Sequence, residues 1–337
     1  MPQKSTNICV KLSFFWKHSN YFNKKKHFFS FLQTFIKIMA KFITYEEELK
    51  KNPELKDNEI QLLREWNDKQ PHLPKIPDID LALFLHSNYY LMEPTKTTID
   101  CYYTVRTHVP EFFSNRRFKT SKELQKISNV AVTTQLKGKT KDGHKIIFWK
   151  LIDSDPSHFV HIDILKYYSM IFDVWLHSEG TTSGHVLLAD MAGISLGHCA
   201  RLSPLTSKKF MVYLQDALPV RLKGLHFMNS NAAMDVILQM IRPLMKKELT
   251  EVLHVHTNNT SLAKHIDLDI LPNEAGGKAG PLSEFHDARK KELDDYSDWF
   301  EQDEKTARVQ ETLRPGKAKN ATDLFGAEGS FKKLDID

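Results

Sequence analysis

A chain of 337 residues, 41% hydrophobic and 26% charged, has the makeup of a folded globular protein with room for a substantial core. Its three cysteines, Cys9, Cys101 and Cys199, are too scattered for a disulfide framework and suit a reducing cytosol, and no run of about 18 apolar residues exists to cross a bilayer as a helix. The formal charge of +5 is local: residues 1–45 hold eight lysines and no acid, so the remainder is slightly acidic and offers no basic face for nucleic acid.

Residues 1–38 are rich in Phe, Lys, Ser and Asn. Ser30, Gln33, Thr34 and Lys37 interrupt the apolar run from Phe28 to Ile38, which makes a poor signal peptide, and a mitochondrial presequence would carry arginine. The character changes at Met39-Ala-Lys-Phe-Ile, so Met39 is the expected start of the protein and 1–38 a basic extension. Residues 39–128 read as a helical N-terminal domain. Ile60, Leu62, Leu63 and Trp66 share one face of a helix over Asp57–Lys69, the prolines of Gln70–Pro77 force a linker, and a second helix starts at Asp80. Pro94 lies near the start of the next helix, which carries Ile99, Tyr102, Tyr103 and Arg106 and ends at Pro110.

Beyond residue 129 the period changes. Asp142-Gly143 is a hairpin signal before a strand over Lys145–Ile152. Ile162–Leu176 is a helix with Tyr168, Phe172 and Trp175 on one face. From Gly184 to Gly280 strands and helices alternate: His185–Ala189, a helix over Leu205–Leu218 with Ser203 as N-cap and Pro204 at its first position, Val220–Met228, a helix over Asn231–Lys247, then Glu251–His256. That order predicts an α/β fold with a mostly parallel sheet. In the second of these strands Arg221 and Lys223 alternate with Val220 and Leu222, giving one basic and one apolar face. The helix over 231–247 has one narrow polar stripe, Asp235, Gln239 and Arg242, and Pro243 should kink it. A helix this apolar is either buried or a cover for something other than protein. Residues 282–337 read as a charged amphipathic helix over Leu282–Glu304, a loop at Arg314-Pro-Gly-Lys, and an extended piece anchored by Asp323-Leu-Phe325 and Phe331.

Several strings spell chemistry. Gly193-Ile-Ser195-Leu-Gly197 is the nucleophile-elbow pattern, and Asp235 with His254 or His256 follows in the order of an α/β-hydrolase triad. A serine esterase on Ser195 is therefore the alternative reading. It is set aside because Pro204 opens a new helix too soon, the chain upstream is largely helical, and no HGGG-like oxyanion segment precedes it. His254 and His256 fall on one side of a strand but lack a third ligand in the sequence, so a polar strand edge is expected and no metal site. Gly276-Gly277-Lys278 is a turn, and Asn258-Asn-Thr260 is a glycosylation string without meaning in an unsecreted chain. No cofactor and no enzymatic activity are expected.

One aligned series is more specific than any of these strings. Leu188-Ala-Asp190-Met-Ala-Gly193, His198, Ser203-Pro204 and Lys208-Lys209 lead into Asp216-Ala-Leu-Pro219-Val-Arg-Leu-Lys-Gly224-Leu-His226-Phe-Met-Asn229, then Arg242-Pro243-Leu, His254-Val-His256 and Leu271-Pro-Asn-Glu274-Ala-Gly276-Gly277. It resembles the CRAL-TRIO lipid-binding family, in particular its tocopherol- and retinaldehyde-binding branch, over roughly residues 60–280, and Glu328-Gly-Ser-Phe-Lys-Lys-Leu matches relatives too. The resemblance implies a CRAL-TRIO domain over 129–281 that encloses an apolar pocket, with the helix over 231–247 as its gate. Tyr168, Phe172, Leu196, Tyr213, Leu214, Leu218, Val220 and Leu225 match the family's pocket lining, and Leu188, Phe210 and Phe227 complete the expected set. Ala233, Ile237, Met240, Ile241 and Leu244 are the lid positions. Tyr168 and Phe172 replace small polar positions, which implies a smaller or differently shaped ligand site, and Ala275 replaces an aromatic. Arg221 and Lys223 match basic positions that contact phosphoinositide headgroups, with Lys246 and Lys247 close by, whereas His86, Asn88, Thr250 and Val252 stand where the family has further cations. The implied protein is a cytoplasmic monomer, transiently bound to anionic membranes, that carries a tocopherol-, retinoid- or other isoprenoid-like lipid.

Overall fold

The structure, a computed structural model, describes residues 42–326. The expectations for residues 1–38, for Phe331 and for the tail from Glu328 lie outside the described residues.

The N-terminal part is helical. Helix α1 (Tyr45–Lys51) starts at Thr44, which accepts from the Glu47 amide while Glu47 reaches back to the Thr44 amide, a reciprocal cap. Helices α2 (Asp57–Asp68), α3 (Asp78–Ser87) and α4 (Met92–His108) follow, and their apolar faces meet at Ile60, Leu63, Leu81, Leu85 and Ile99. The proline-rich connector 71–77 holds α2 and α3 apart in sequence, and Asn67 receives its Ile76 amide.

A sheet of five strands lies next, in the order β1 (Ala131–Lys139), β2 (Lys145–Leu151), β3 (His185–Asp190), β4 (Leu222–Met228) and β5 (Leu253–Val255). The β1–β2 hairpin is antiparallel and every later pairing is parallel. Spatial order therefore follows chain order, and three crossovers of one hand put their helices on one face. Those helices are α5 (His161–Glu179), α6 (Pro204–Val212) and α7 (Ala232–Ile241). The other face is covered by the segment 259–282, through Leu262, Ile266, Leu271 and Leu282, which pack on Val132, Ile146, Phe148, Val186 and Leu188. Helices α8 (Leu282–Asp295) and α9 (Ser297–Thr306) close the described chain with the short segment Ala321–Phe325.

Three expected helices are shorter than the pattern implied. The helix over 205–218 is regular only to Val212 and widens into a π turn at Tyr213–Ala217, closed by the Leu218 amide donating to the Tyr213 carbonyl at 2.8 Å. The helix over 231–247 ends at Ile241. Pro243 lacks the amide that would continue it, so Arg242–Leu244 tightens into a 3₁₀ turn and a separate helical turn begins at Lys247. The helix over 282–304 breaks at Tyr296, whose buried ring stacks on Phe42 at 5.0 Å.

A buried ionic group ties the helical part to the sheet. Arg106 on α4 donates to both oxygens of Asp173 on α5, at 3.1 and 2.9 Å, and to Asp303 on α9 at 2.7 Å. Arg116 donates to Asp173 at 2.5 Å and also pairs with Asp303. Phe113 lies under both guanidinium groups, at 4.7 and 5.5 Å.

Candidate functional site

Under α7, on the helix-bearing face of the sheet, lies a cavity of 220 Å³ lined almost entirely by apolar side chains. Strand alternation sets its floor: Trp149 from β2, Leu187 and Ala189 from β3, Leu225 and Phe227 from β4 all point to this side. Helix α5 supplies His161, Ile164, Leu165 and Tyr168, one face at helical spacing. Ser207, Phe210 and Met211 come from α6 and Leu214 from the π turn after it. Ile237, Met240 and Ile241 on α7 form the roof. Ala232, Asp235, Val236 and Gln239 face solvent, so α7 is amphipathic, with Val236 an exposed apolar residue on its outer side.

Few polar atoms reach the cavity. The Ser207 hydroxyl approaches the Met240 sulfur at 3.8 Å, which joins α6 to the roof. His161 accepts the Ser203 amide at Nδ1 (3.1 Å), leaving Nε2 as its donor, and burial pushes its pKa down to about 4, so it is neutral. Burial likewise raises the Tyr168 phenol, so it stays a neutral hydroxyl. The sequence reading did not single out His161 or Ser207. Both lie at helical spacing from residues it did name: His161 is seven before Tyr168, and Ser207 three before Phe210.

Of the positions expected to line the pocket, Tyr168, Phe210, Leu214, Leu225 and Phe227 are found around the cavity, as are the lid positions Ile237, Met240 and Ile241. Phe172 and Tyr213 are fully buried behind that wall, with Phe172 against Tyr168 at 4.7 Å and Tyr213 against Phe113 at 5.1 Å. Leu218 and Val220 pack into the same core farther along. Ala233 is buried at the start of α7, where Cys199 donates to its carbonyl, and Leu244 sits on the 3₁₀ turn, its carbonyl accepting from Gln215 at 3.1 Å. Two positions lie elsewhere. Leu188 points to the opposite sheet face because its neighbour Leu187 points to the cavity, and strand side chains alternate. Leu196 is 60% exposed on the one-turn helix Leu196–Cys199.

The Ser195 string belongs to that same turn. Ser195 is its N-cap, and its hydroxyl lies 2.9 Å from Nδ1 of His198, three residues on, in a local capping arrangement. His256 bonds instead to His226 (2.9 Å) and Ser261 (2.8 Å). Of the two histidines that could have followed the serine in a triad, His256 is thus engaged elsewhere, and the His254 ring lies 4.6 Å from that of His226.

A second, polar cleft of 820 Å³ opens between the helical part and the sheet, lined by Lys51, His86, Tyr90, Lys139, Lys145 and Arg221 together with Glu54 and Glu179. Arg221 donates from Nε to the His86 carbonyl at 2.8 Å and stacks on Tyr89 at 4.4 Å. Lys223 donates to the Tyr89 hydroxyl at 2.8 Å. Burial, with Arg221 adding to it, pushes His86 down to about 4, so it brings no charge. A β-bulge sets this pair apart from the cavity. Register slips between His185 and Val186 opposite Leu222–Gly224, so Val220 and Leu222 share the apolar side with Leu225 and Phe227 while Arg221 and Lys223 point away. Lys246 pairs with Asp216, and Lys247 lies 3.7 Å from Glu251, both beyond the lid turn and outside the cleft lining. Lys51, Lys139 and Lys145 were not singled out from the sequence, because they come from three elements that only the fold brings together.

The architecture defines a class, an α/β domain whose sheet floors an apolar cavity beneath a crossover helix. Residues 130–277 match the CRAL/TRIO domain family and residues 52–123 the Pinta-like UBA domain family, so the five-stranded sheet with its crossover helices carries the CRAL/TRIO domain match. It is 28% identical over 240 residues to the alpha-tocopherol transfer protein-like protein of Mus musculus, covering 70% of this chain and 69% of that one. It is 26% identical over 256 residues to clavesin-1 of Mus musculus, covering 74% and 72%. The crystal structure of Sfh5 aligns with a TM-score of 0.42 at 15% identity, over 76% of this chain and 90% of that one. CRAL/TRIO proteins bind and transfer lipophilic ligands. Among the described residues no helix is long and apolar enough to cross a membrane.

Proposed function

We propose that this chain binds a small hydrophobic lipid of tocopherol, retinoid or other isoprenoid type in the cavity under α7 and carries it between membranes. The observation that carries the reading is the cavity itself: an apolar floor, apolar walls and a roof of Ile237, Met240 and Ile241, with Trp149, His161, Ser207 and Tyr168 among its lining to orient a polar end. Its 220 Å³ exceeds the roughly 150 Å³ of a cavity that accepts benzene and falls short of the roughly 300–1,000 Å³ of full ligand pockets. A ring system fits beneath the closed roof; a longer tail moves the roof outward. Burying about 300 Å² of apolar ligand surface supplies about 7 kcal/mol before the costs of association, with no catalytic group involved.

Release requires α7 to lift. Its inner face is costly to expose in water and stable at a bilayer interface, which couples unloading to membrane contact. The Arg221–Lys223 pair and the lysines around the polar cleft meet an anionic headgroup, with phosphoinositides the candidate class. Lys246 and Lys247 beside the lid turn add attraction to an anionic surface, each cation contributing about 1 kcal/mol near such a surface. The protein acts as a monomer that visits membranes from the cytoplasm.

Organic extraction and native mass spectrometry of the purified full-length protein test the proposal. A stoichiometric isoprenoid-type lipid that leaves on incubation with vesicles is the expected result. A protein that stays empty after incubation with tocopherol, retinoid and other isoprenoid vesicles overturns it.

A further inference from the structure

On the sheet face turned away from the cavity, four histidines from three separate chain segments meet. His226 comes from β4, His254 from the facing position of β5, His256 from just past β5, and His265 from the turn after Asn259–Leu262. Ring centroids of His226 and His254 are 4.6 Å apart, those of His254 and His265 also 4.6 Å, and those of His226 and His265 5.1 Å. One ring nitrogen from each of His226, His254 and His265 lies within 4.8 Å of the other two.

We propose that His226, His254 and His265 form a binding site for one divalent transition-metal ion of the zinc class, with solvent as the remaining ligand. Three features of the geometry support it. A tetrahedral zinc with Zn–N of about 2.0–2.1 Å needs nitrogens about 3.4 Å apart, so imidazole rotations that draw the rings in by about an ångström complete the coordination. The donor set is all imidazole, which suits zinc, copper and nickel rather than calcium or magnesium. The fourth histidine supplies the outer contact that oriented metal-binding imidazoles have: His256 Nε2 lies 2.9 Å from His226 Nδ1, and His256 Nδ1 lies 2.8 Å from the Ser261 hydroxyl. With Nδ1–H of His226 donating to His256, and Nδ1–H of His256 donating to Ser261, Nε2 of His226 is left for the metal. Gly224, two residues before His226 on the same strand, leaves room for that ring; a Cβ there would lie 2.6 Å from His226 Nε2.

His226 is buried while His254 is half-buried, so the site has a closed inner side and an open outer one. Bound metal would join β4, the three-residue edge strand β5 and the turn at 263–266, and so fasten the two strands that α7 connects. The sheet separates this site from the cavity, so it stands apart from the proposed lipid binding.

The test is titration of chelator-stripped full-length protein, purified without a polyhistidine tag, with Co²⁺ read by its visible ligand-field bands and with Zn²⁺ read by calorimetry. One ion per chain with tetrahedral bands is expected. The double variant His254→Ala/His265→Ala should weaken binding at least about tenfold, while His158→Ala, at an exposed histidine outside the cluster, leaves it unchanged. The variant His265→Cys gives a positive signal independent of any loss of fold: a thiolate–Co²⁺ charge-transfer band absent from the wild type. Binding that is multi-site and indifferent to the double variant, or a His265→Cys protein that takes up Co²⁺ without the thiolate band, overturns the assignment.

Discussion

The Arg221 guanidinium donates from Nε to the backbone carbonyl of His86, 2.8 Å away, and so links the start of β4, which helps floor the apolar cavity, to the end of a helix in the N-terminal part. Tyr89 lies against the same guanidinium at 4.4 Å. A planar, stacked cation held this way is already oriented when an anion arrives. Replacing Arg221 with Ala should slow lipid transfer to phosphoinositide-containing vesicles by about fivefold, from the roughly 1 kcal/mol that one cation contributes near an anionic surface. Arg221→Lys should fall between, since it keeps the charge and loses the stack. Transfer to neutral vesicles should not change. A loss of equal size on both vesicle types would mean that Arg221 matters for the fold and not for headgroups.

Leu214 and Leu188 make a paired test of where the ligand sits. Leu214 lines the cavity, so Leu214→Asp should abolish copurifying lipid, because an uncompensated carboxylate would be buried in an apolar wall. Leu188 is equally buried on the far sheet face. Leu188→Ala should lower stability by about 2–5 kcal/mol through the void it leaves, while the surviving folded protein still carries lipid. Lipid content by extraction, normalised to folded protein, checks both.

The parity of these two leucines also shows how far the sequence was legible. The order of strands and helices, the helical N-terminal part and the parallel sheet follow from periodicity and turn chemistry, both local signals. On β4 the inward position Leu225 came from the family resemblance, and Phe227, two residues on, shares its face by alternation. On β3 the run His185-Val-Leu-Leu-Ala189 is apolar at nearly every position, since both sheet faces are covered, so nothing local distinguishes Leu187 from Leu188. The bulge opposite His185 was hidden for the same reason: one extra residue leaves no mark in composition. The helix over 231–247 was over-extended because the apolar pattern continues past Pro243 while the backbone hydrogen bonding does not. Clusters assembled from distant segments, the lysines of the polar cleft and the four histidines, were beyond reach because their proximity is created by the fold alone.

Asp173 is expected to be a stability hinge between the helical part and the sheet. Burial raises the cost of its charge, but Arg106 and Arg116 outweigh that and hold its pKa down at about 2. A depressed carboxyl contributes stability above its unfolded pKa and loses it as pH falls, so the loss runs from about pH 4 down to about pH 2. Asp173→Asn should cost about 3–5 kcal/mol by leaving two buried guanidinium groups with too little negative charge, and should flatten this acid limb. Denaturant titrations across that range check both statements.

His177 works in the opposite direction. Its Nε2 lies 3.2 Å from Asp80 and its Nδ1 2.7 Å from the Asp173 carbonyl, so both nitrogens face acceptors and the imidazolium is favoured. Burial opposes this, yet Asp80 outweighs it and raises the pKa to about 9. A raised histidine contributes stability in full below its unfolded pKa, about 6.5, and loses it as pH rises through about 9. Unfolding free energy should therefore fall between those values with a slope of up to about 1.4 kcal/mol per pH unit, and His177→Gln should remove that slope. A variant that keeps the wild-type slope would place the titration elsewhere.

The roof can be locked to test whether it gates exchange. The Ser207 hydroxyl and the Met240 sulfur are 3.8 Å apart, one on α6 and the other on α7. The double variant Ser207→Cys/Met240→Cys, built with Cys199→Ala to remove the free thiol beside Ala233, puts one thiol on each side of that contact; a cysteine sulfur stops one bond short of the methionine sulfur, so a short bismaleimide with a central disulfide joins the two. Crosslinked after loading, with the linker disulfide still oxidised, it should retain its lipid in the presence of acceptor vesicles, with exchange slowed at least about tenfold, a barrier increase of about 1.4 kcal/mol. A thiol reductant should restore the rate. If the oxidised protein exchanges as fast as the reduced one, and mass spectrometry confirms the crosslink, the ligand leaves by a route that does not lift α7. The alternative exits are then the loops around Phe159, Ile194 and Leu202, which complete the cavity wall.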